Sequence, residues 1–146
     1  MKDDLIHLKK YQFVLETQEE KILHKISEIQ KKQDAEMRKY NMLKQCLVET
    51  RNNLLSQGQA LISAISFQQF QNFINQLEKA LAQQSEVMKA IASNLEKQMI
   101  VFKEIKFKRK KLDDLISKKN QEIHFQLARR ENQENTELFN RLNRFK

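Results

Sequence analysis

Apolar residues recur every seven positions along two long stretches of the chain. In the first stretch, two such ladders run from Leu8 to Thr50 and from Gln12 to Leu54. In the second stretch they run from Ile74 to Ile123 and from Phe70 to Gln126. Of the 31 ladder positions 21 are apolar, whereas a composition that is 40% apolar would give about 12. Such a repeat is typical of helices that pair as a coiled coil, and we call these 31 positions the seam.

The segment between the two stretches carries signals for the end of one helix and the start of another. The only glycine, Gly58, lies in the least helix-like part of the chain. Ser66 and Gln69 have the spacing of a capping box, and Ile65 and Phe70 occupy the positions of a hydrophobic staple. We therefore predict a turn here, and a connection this short folds the second helix back along the first.

These signals predict an all-α fold, an antiparallel two-helix coiled-coil hairpin that forms a single domain. The first helix covers about residues 3–56, the turn about 57–65, and the second, longer helix about 66–143. With the turn centred near residue 60, position i pairs with about position 120 − i. After Ile123 the ladder positions are no longer apolar, and this change falls near the position that pairs with the first residues of the first helix. Two chains that pair in parallel are the competing interpretation.

The last residues of the chain, about 124 to 146, have no predicted partner within the hairpin, and we call them the overhang. They carry Leu138, Phe139, Leu142 and Phe145 at spacings of three to four. Because an isolated helix depends on docking for its stability, we predict a tip that frays alone and becomes ordered on a partner. A simple disordered tail is the alternative, but such tails rarely place phenylalanines at helical spacing.

Composition restricts the fold class and the location. The chain has no proline and one glycine, where roughly seven and ten are usual at this length, so most all-β and α/β folds are excluded. Cys46, the single cysteine, forms no internal disulfide. Asp3 and Asp4 stand where a signal peptide has positive charge, and Met99–Phe102 is far shorter than the ~20 apolar residues of a membrane span. We predict a soluble, intracellular chain without membrane insertion.

Residues that could carry catalysis are scattered. His7, His24 and His124 form no HExxH motif, and no glycine-rich loop is present to bind phosphate. Asp113 and Asp114 are neighbours in sequence, but adjacent helical residues point about 100° apart and cannot act as a dyad. We predict that the chain is not an enzyme and has no catalytic, cofactor-binding or metal-binding residues.

The positive charge is concentrated in the second stretch. The chain has 27 basic and 19 acidic side chains, and Lys103–Lys119 alone holds eight basic residues and three acidic ones, with Phe107 among them. This run fits a solvated coiled-coil flank, a surface for an acidic protein, or a nucleic-acid site, although the acids at Asp113 and Asp114 weaken the last. An amphipathic membrane-surface helix is disfavoured, because the apolar stripe is narrow and already used by the hairpin. A self-assembling structural rod also stays open.

Two stretches around the predicted turn, Thr50–Leu54 (TRNNL) and Phe70–Leu81 (FQNFINQLEKAL), resemble the FliJ family of flagellar export proteins. Lys108–Leu112 (KRKKL), followed by Arg129–Glu134 (RRENQE), is similar to the family's basic stretch and polar tail. The resemblance covers nearly the whole chain, and its specific part lies around the turn. Stalk proteins of the YscO type from injectisomes are the sister family.

The resemblance implies a non-enzymatic coiled-coil stalk of the bacterial flagellar type III export apparatus. Its implied partners are the hexameric export ATPase, whose pore receives the paired helix ends, the cytoplasmic domain of the export gate, and export chaperones. The implied location is the cytoplasm, peripheral to the inner membrane. A YscO-type injectisome stalk and a basic coiled coil that binds nucleic acid are the alternatives.

The resemblance also implies one binding site, and the overhang suggests a second. The residues that match the family's export-gate contact are Leu43, Phe73, Leu77 and Ala80. The positions where this chain departs from the family's usual residues are Lys39, Cys46, Thr50 and Gln84. The residues that we predict to dock on the ATPase are Leu138, Phe139, Leu142, Arg129 and Arg130.

Overall fold

A computed structural model describes residues 2–58 and 63–144 of the chain. Helix α1 spans Lys2–Gly58 and helix α2 spans Ala64–Arg144, so the second helix is longer, at 81 residues against 57. Within the described ranges there is no β-strand, which confirms the all-α prediction. Part of the predicted turn, 59–62, and the overhang residue Phe145 lie outside the described residues.

Both helices are long because the sequence contains little that would interrupt them. No proline occurs, and Gly58 is the last residue of α1 rather than an interior one. Asp3 and Asp4 lie in the first turn of α1, and Arg141 and Arg144 lie in the last turn of α2. Acids at a helix N-terminus and bases at a C-terminus interact favourably with the helix dipole.

The start of α2 differs from the prediction. Ser63 is the capping residue: its Oγ accepts a hydrogen bond from the Ser66 N–H at 3.2 Å, and its carbonyl accepts one from the Phe67 N–H at 3.1 Å. The capping box predicted at Ser66 is therefore wrong, because Ser63 offers the same hydroxyl chemistry three residues earlier. Ile65 is 74% exposed, so the predicted staple does not form either.

The chain forms two compact units. One comprises Ile22–Val101 and is called the turn unit; the other comprises Met1–Lys21 with Phe102–Lys146 and is called the terminal unit. In each unit a stretch of α1 packs against a stretch of α2. Together the two sets of contacts confirm the predicted antiparallel helical hairpin.

In the turn unit, the core is a layer of apolar side chains from both helices. Its buried cluster consists of Leu47, Ile74 and Leu77. The half-buried apolar residues packed on this cluster are Leu43, Cys46, Leu54 and Leu81. Two polar pairs, Arg51 with Glu78 and Glu36 with Gln84, show that α1 and α2 run in opposite directions, because one residue number falls as the other rises.

The terminal unit has a second apolar cluster. Leu15, Leu112 and Ile116 are buried together, and Leu5 and Leu8 pack against them. Two polar contacts join the helices beside this cluster. The Gln12 side-chain amide donates to Asp113 Oδ1 at 2.6 Å, and Lys119 Nζ lies 3.8 Å from Asp4 Oδ2. The pairing is again antiparallel.

Burial follows the predicted seam. Of its 31 positions 30 are buried or half-buried, and the one exposed member is Gln126. The seam thus ends where the sequence predicts. Glu36 pairs with Gln84 as expected for a turn centred near residue 60, whereas Gln12 bonds to Asp113, five residues beyond the expected position 108. Helix α1 ends at Gly58 and α2 begins at Ala64, so the midpoint between the helices is residue 61 and the position opposite Gln12 is about 110; the long Gln12 side chain reaches three residues further along α2.

Candidate interaction surfaces

Some polar seam residues pair with each other between the helices. In the terminal unit, Arg109 Nε lies 2.9 Å from Glu19 Oε2, and the two side chains are only 30% and 12% exposed. The two atoms are not aligned as a hydrogen bond, and neither has a hydrogen-bond partner elsewhere in the described residues. Each charge would be costly in the seam without the other, so the pair favours the register in which they meet.

A second polar pair lies in the turn unit. The Gln84 side-chain amide donates to the Glu36 carbonyl at 2.9 Å and also to the Glu36 carboxylate. This bond is the main cause of a Glu36 pKa below its ordinary value; burial opposes the shift, and the nearby Lys39 and Lys32 add to it. Because the folded pKa is lowered, the contact stabilises the fold above the carboxyl's unfolded pKa and is lost as the pH falls through the folded value.

The four residues predicted to contact the export gate differ in accessibility. Leu77 is 7% exposed and Leu43 packs on the same apolar cluster, so both serve the core of the turn unit. Ala80 is half-buried, and only Phe73 is substantially exposed, at 44%. The structure therefore brings the four to one region of the turn unit but leaves Phe73 as the large apolar group that faces solvent.

The positions at which the chain departs from the family pattern have contacts within the turn unit. The buried Thr50 hydroxyl donates to the Cys46 carbonyl at 2.7 Å, and Gln84 is bonded to Glu36. Lys39 Nζ lies 3.3 Å from Glu36 Oε1 on the same helix. Cys46 is half-buried against the apolar cluster and acts as a small packing residue. These side chains thus have contacts within the chain itself, independent of any binding partner.

The overhang has a different environment from the rest of α2. Every described residue from 124 to 144 is exposed, although the helix continues to Arg144. Leu138, Phe139 and Leu142 are about 60% exposed, at 58%, 63% and 61%. The predicted docking residues therefore lie on a stretch of helix that no other described part of the terminal unit covers.

Two exposed surfaces of the terminal unit, each with an exposed phenylalanine, were missed by the sequence analysis. In the overhang, Phe125 is 68% exposed and shares a shallow face with Ala128, Arg129, Asn132 and Thr136. On α1, a second shallow surface is lined by Ile6, Lys9, Lys10, Phe13 and Val14. Neither set lies on the seam ladders, so a search for the seven-residue repeat passes over both. Their helical spacing of three and four was the signal available.

The candidate catalytic groups are not brought together. His7, His24 and His124 are all exposed, and Asp113 accepts a hydrogen bond from Gln12 while Asp114 faces solvent. Among the described residues there is no group of three His, Cys, Asp or Glu side chains that could hold a metal ion. No helix in the described ranges is long and apolar enough to cross a membrane.

The fold and the exposed apolar side chains place the chain in the class of antiparallel helical hairpins with unpaired apolar surfaces. The comparison with protein families agrees. A family model described as Flagellar FliJ protein matches residues 8–144, and the chain belongs to that family.

Membership confirms the resemblance found in the sequence. It makes the chain a component of the flagellar export apparatus, and the FliJ family is a non-catalytic part of that apparatus. Comparison with curated proteins gives no match, and comparison with solved structures gives none.

Proposed function

We propose that the chain is the stalk of the flagellar type III export apparatus, bound in the export ATPase ring through the overhang and in contact with the export gate through the turn unit. The observation that carries the proposal is the contrast along α2. The seam is buried up to Ile123, whereas every described residue from 124 to 144 is exposed. Membership of the FliJ family supports a role in export.

The overhang is better suited to binding inside a ring-shaped partner than to binding in a surface pocket. The overhang is a single helix, which is only about 10 Å across with its side chains, so it fits the axis of a ring. Leu138, Phe139 and Leu142 supply apolar contact, and Arg129 and Arg130 supply positive charge. Docking orders a helix that has no tertiary support of its own, so binding and local folding are coupled.

Site-specific photo-crosslinking tests this docking. A photoreactive residue at Leu142 should crosslink to the export ATPase, because Leu142 is exposed on the overhang. A matched probe at Val87, which is 43% exposed in the turn unit, should give no ATPase crosslink. Equal crosslinking from both positions, or none from Leu142, would contradict the proposal. The products are identified by mass spectrometry.

The gate contact is proposed to centre on Phe73, with Ala80, Leu43 and Leu77 as the further positions that match the family's contact. Phe73 is the one of the four that offers a large exposed apolar group. Because Leu43 and Leu77 pack in the core of the turn unit, substituting either would destabilise the fold, and a fall in gate binding could then be caused by unfolding. Phe73 separates the two effects.

We expect Phe73→Ala to weaken binding to the cytoplasmic domain of the export gate by about tenfold or more, since a buried aromatic contact is worth about 1.5–3 kcal/mol. The melting temperature should change little, because the side chain is 44% exposed in the free chain. Phe13→Ala, at a 69% exposed phenylalanine of the terminal unit, is the matched control. Isothermal titration calorimetry measures the affinity, and a loss shared by both variants would remove Phe73 from the contact.

Chaperone cycling and a position at the cytoplasmic face of the inner membrane belong to the same proposal, and family membership supports them. We further propose that the two units act as one coiled-coil domain and that the chain has no catalytic role. Coupling would then be mechanical: binding inside the ring would bias its states while the turn unit contacts the gate.

A further inference from the structure

One face of α2 in the terminal unit carries five exposed lysines around an exposed phenylalanine. We call it the basic face, and it consists of Lys103, Lys106, Phe107, Lys110, Lys111 and Lys118. At 3.6 residues per turn these six side chains fall within an arc of about 140°. Asp114 is the one acid inside this arc, so the face is strongly positive over about four turns of helix.

The basic face is not used to hold the unit together. Phe107 is 59% exposed, and Lys111 Nζ lies 4.5 Å from the centre of its ring, so the lysine covers part of one ring face. The half-buried Phe102, by contrast, belongs to the seam. Within the described part of the chain, none of the five lysines forms an ion pair with a carboxylate. Their ammonium groups are therefore available to an external anion.

A row of lysines around one aromatic ring on a helix face suits an anionic lipid surface. Ammonium groups can reach lipid phosphates while the lysine stems and the Phe107 ring rest at the headgroup boundary. Each lysine near such a surface contributes to binding, and the effect falls off with salt. Lipids are also mobile, so they can arrange themselves around Asp114, which the fixed carboxylates of an acidic protein cannot do.

Nucleic acid fits the face less well. Binding of single strands uses several aromatic rings on which successive bases stack. The basic face has one ring, and Lys111 covers part of it.

We propose that the basic face binds the surface of an anionic phospholipid membrane without insertion. None of its residues is a seam residue, so the objection that the apolar stripe is already used by the hairpin does not apply to it. The contact is independent of the proposed ATPase docking, because it involves residues before the overhang. It would hold the chain against a membrane by charge, with Phe107 as the single apolar contact.

Vesicle co-sedimentation of the full chain tests the proposal. The chain should bind phosphatidylcholine vesicles that contain phosphatidylglycerol and should not bind vesicles of phosphatidylcholine alone. The triple variant Lys103→Gln, Lys110→Gln, Lys111→Gln should bind about 100-fold more weakly, since each lysine near an anionic surface contributes about fivefold. Phe107→Ala should weaken binding by about tenfold through loss of the apolar contact.

A control variant separates the basic face from net charge. Lys25→Gln, Lys32→Gln, Lys97→Gln removes the same charge from exposed lysines of the turn unit and should bind like the unmodified chain. Equal losses in the two triple variants would overturn the proposal, since only net charge would matter. Binding to polyglutamate or to RNA, with none to the phosphatidylglycerol vesicles, would assign the face to protein or nucleic acid and would also overturn it. Circular dichroism checks that each variant is folded.

Discussion

A chain that ends at Gln126 is expected to lose all measurable binding to the export ATPase and to keep its melting temperature. Every described residue removed by this truncation is exposed, so no core contact of the terminal unit is lost. The apolar groups proposed to dock, Leu138, Phe139 and Leu142, are removed together. The truncation is therefore expected to remove binding without affecting folding.

The measurement is co-purification with the hexameric ATPase, together with thermal unfolding followed by circular dichroism. The loss of helical signal should be confined to the residues that are removed. Unchanged ATPase binding by the truncated chain would take the docking role away from the overhang. A large fall in melting temperature would mean that the overhang supports the hairpin, contrary to its exposure.

The second large effect is expected at the ion pair in the seam of the terminal unit. Arg109→Leu leaves the Glu19 carboxylate, only 12% exposed, without its cation. We expect a loss of about 2–3 kcal/mol in the free energy of unfolding, somewhat below the usual cost of breaking a fully buried pair because Arg109 is 30% exposed. Urea unfolding of the variant measures the change.

The double variant Glu19→Leu, Arg109→Leu is the matched control. An apolar pair at two facing seam positions should restore the free energy of unfolding to at least its original value, because replacing an ion pair by apolar side chains is often neutral or stabilising. Disulfide crosslinks between introduced cysteines would then show whether the register is still unique. A double variant as unstable as the single one would mean that Arg109 acts through packing and not through its charge.

The sequence was sufficient for the helices and for the seam. Because the apolar repeat depends only on spacing, it identified positions such as Leu15 and Ile116 as core, and they are 3% and 7% exposed. It even predicted burial at polar positions such as Glu19 and Arg109, which share the ladders. Their pairing was not predicted, since it depends on the register of α1 against α2, which spacing within one helix does not define.

Local chemistry was harder to assign than periodicity. Ser63 and Ser66 both carry a hydroxyl, and which one caps α2 is decided by where the chain leaves the turn. The gate residues are a case where periodicity was informative. Leu43 and Leu77 match the family's residue types but also lie on the seam ladders, which predict burial, and the structure uses both as core; Phe73 lies off the ladders and is 44% exposed. Accessibility is a property of the packed unit.

A core that is only one layer of side chains deep affects how readily the protein aggregates. Two helices bury one stripe each, so 23 large apolar side chains in the described part of the chain stay exposed, against eight that are buried. Proteins of this kind resist aggregation mainly because their net charge makes the molecules repel each other. The net charge of this chain is +8 at pH 7. That repulsion disappears as buffers approach the isoelectric point near pH 9.6, and it is screened by concentrated salt. Dilute salt at neutral or mildly acidic pH is therefore the condition in which the molecules stay dispersed.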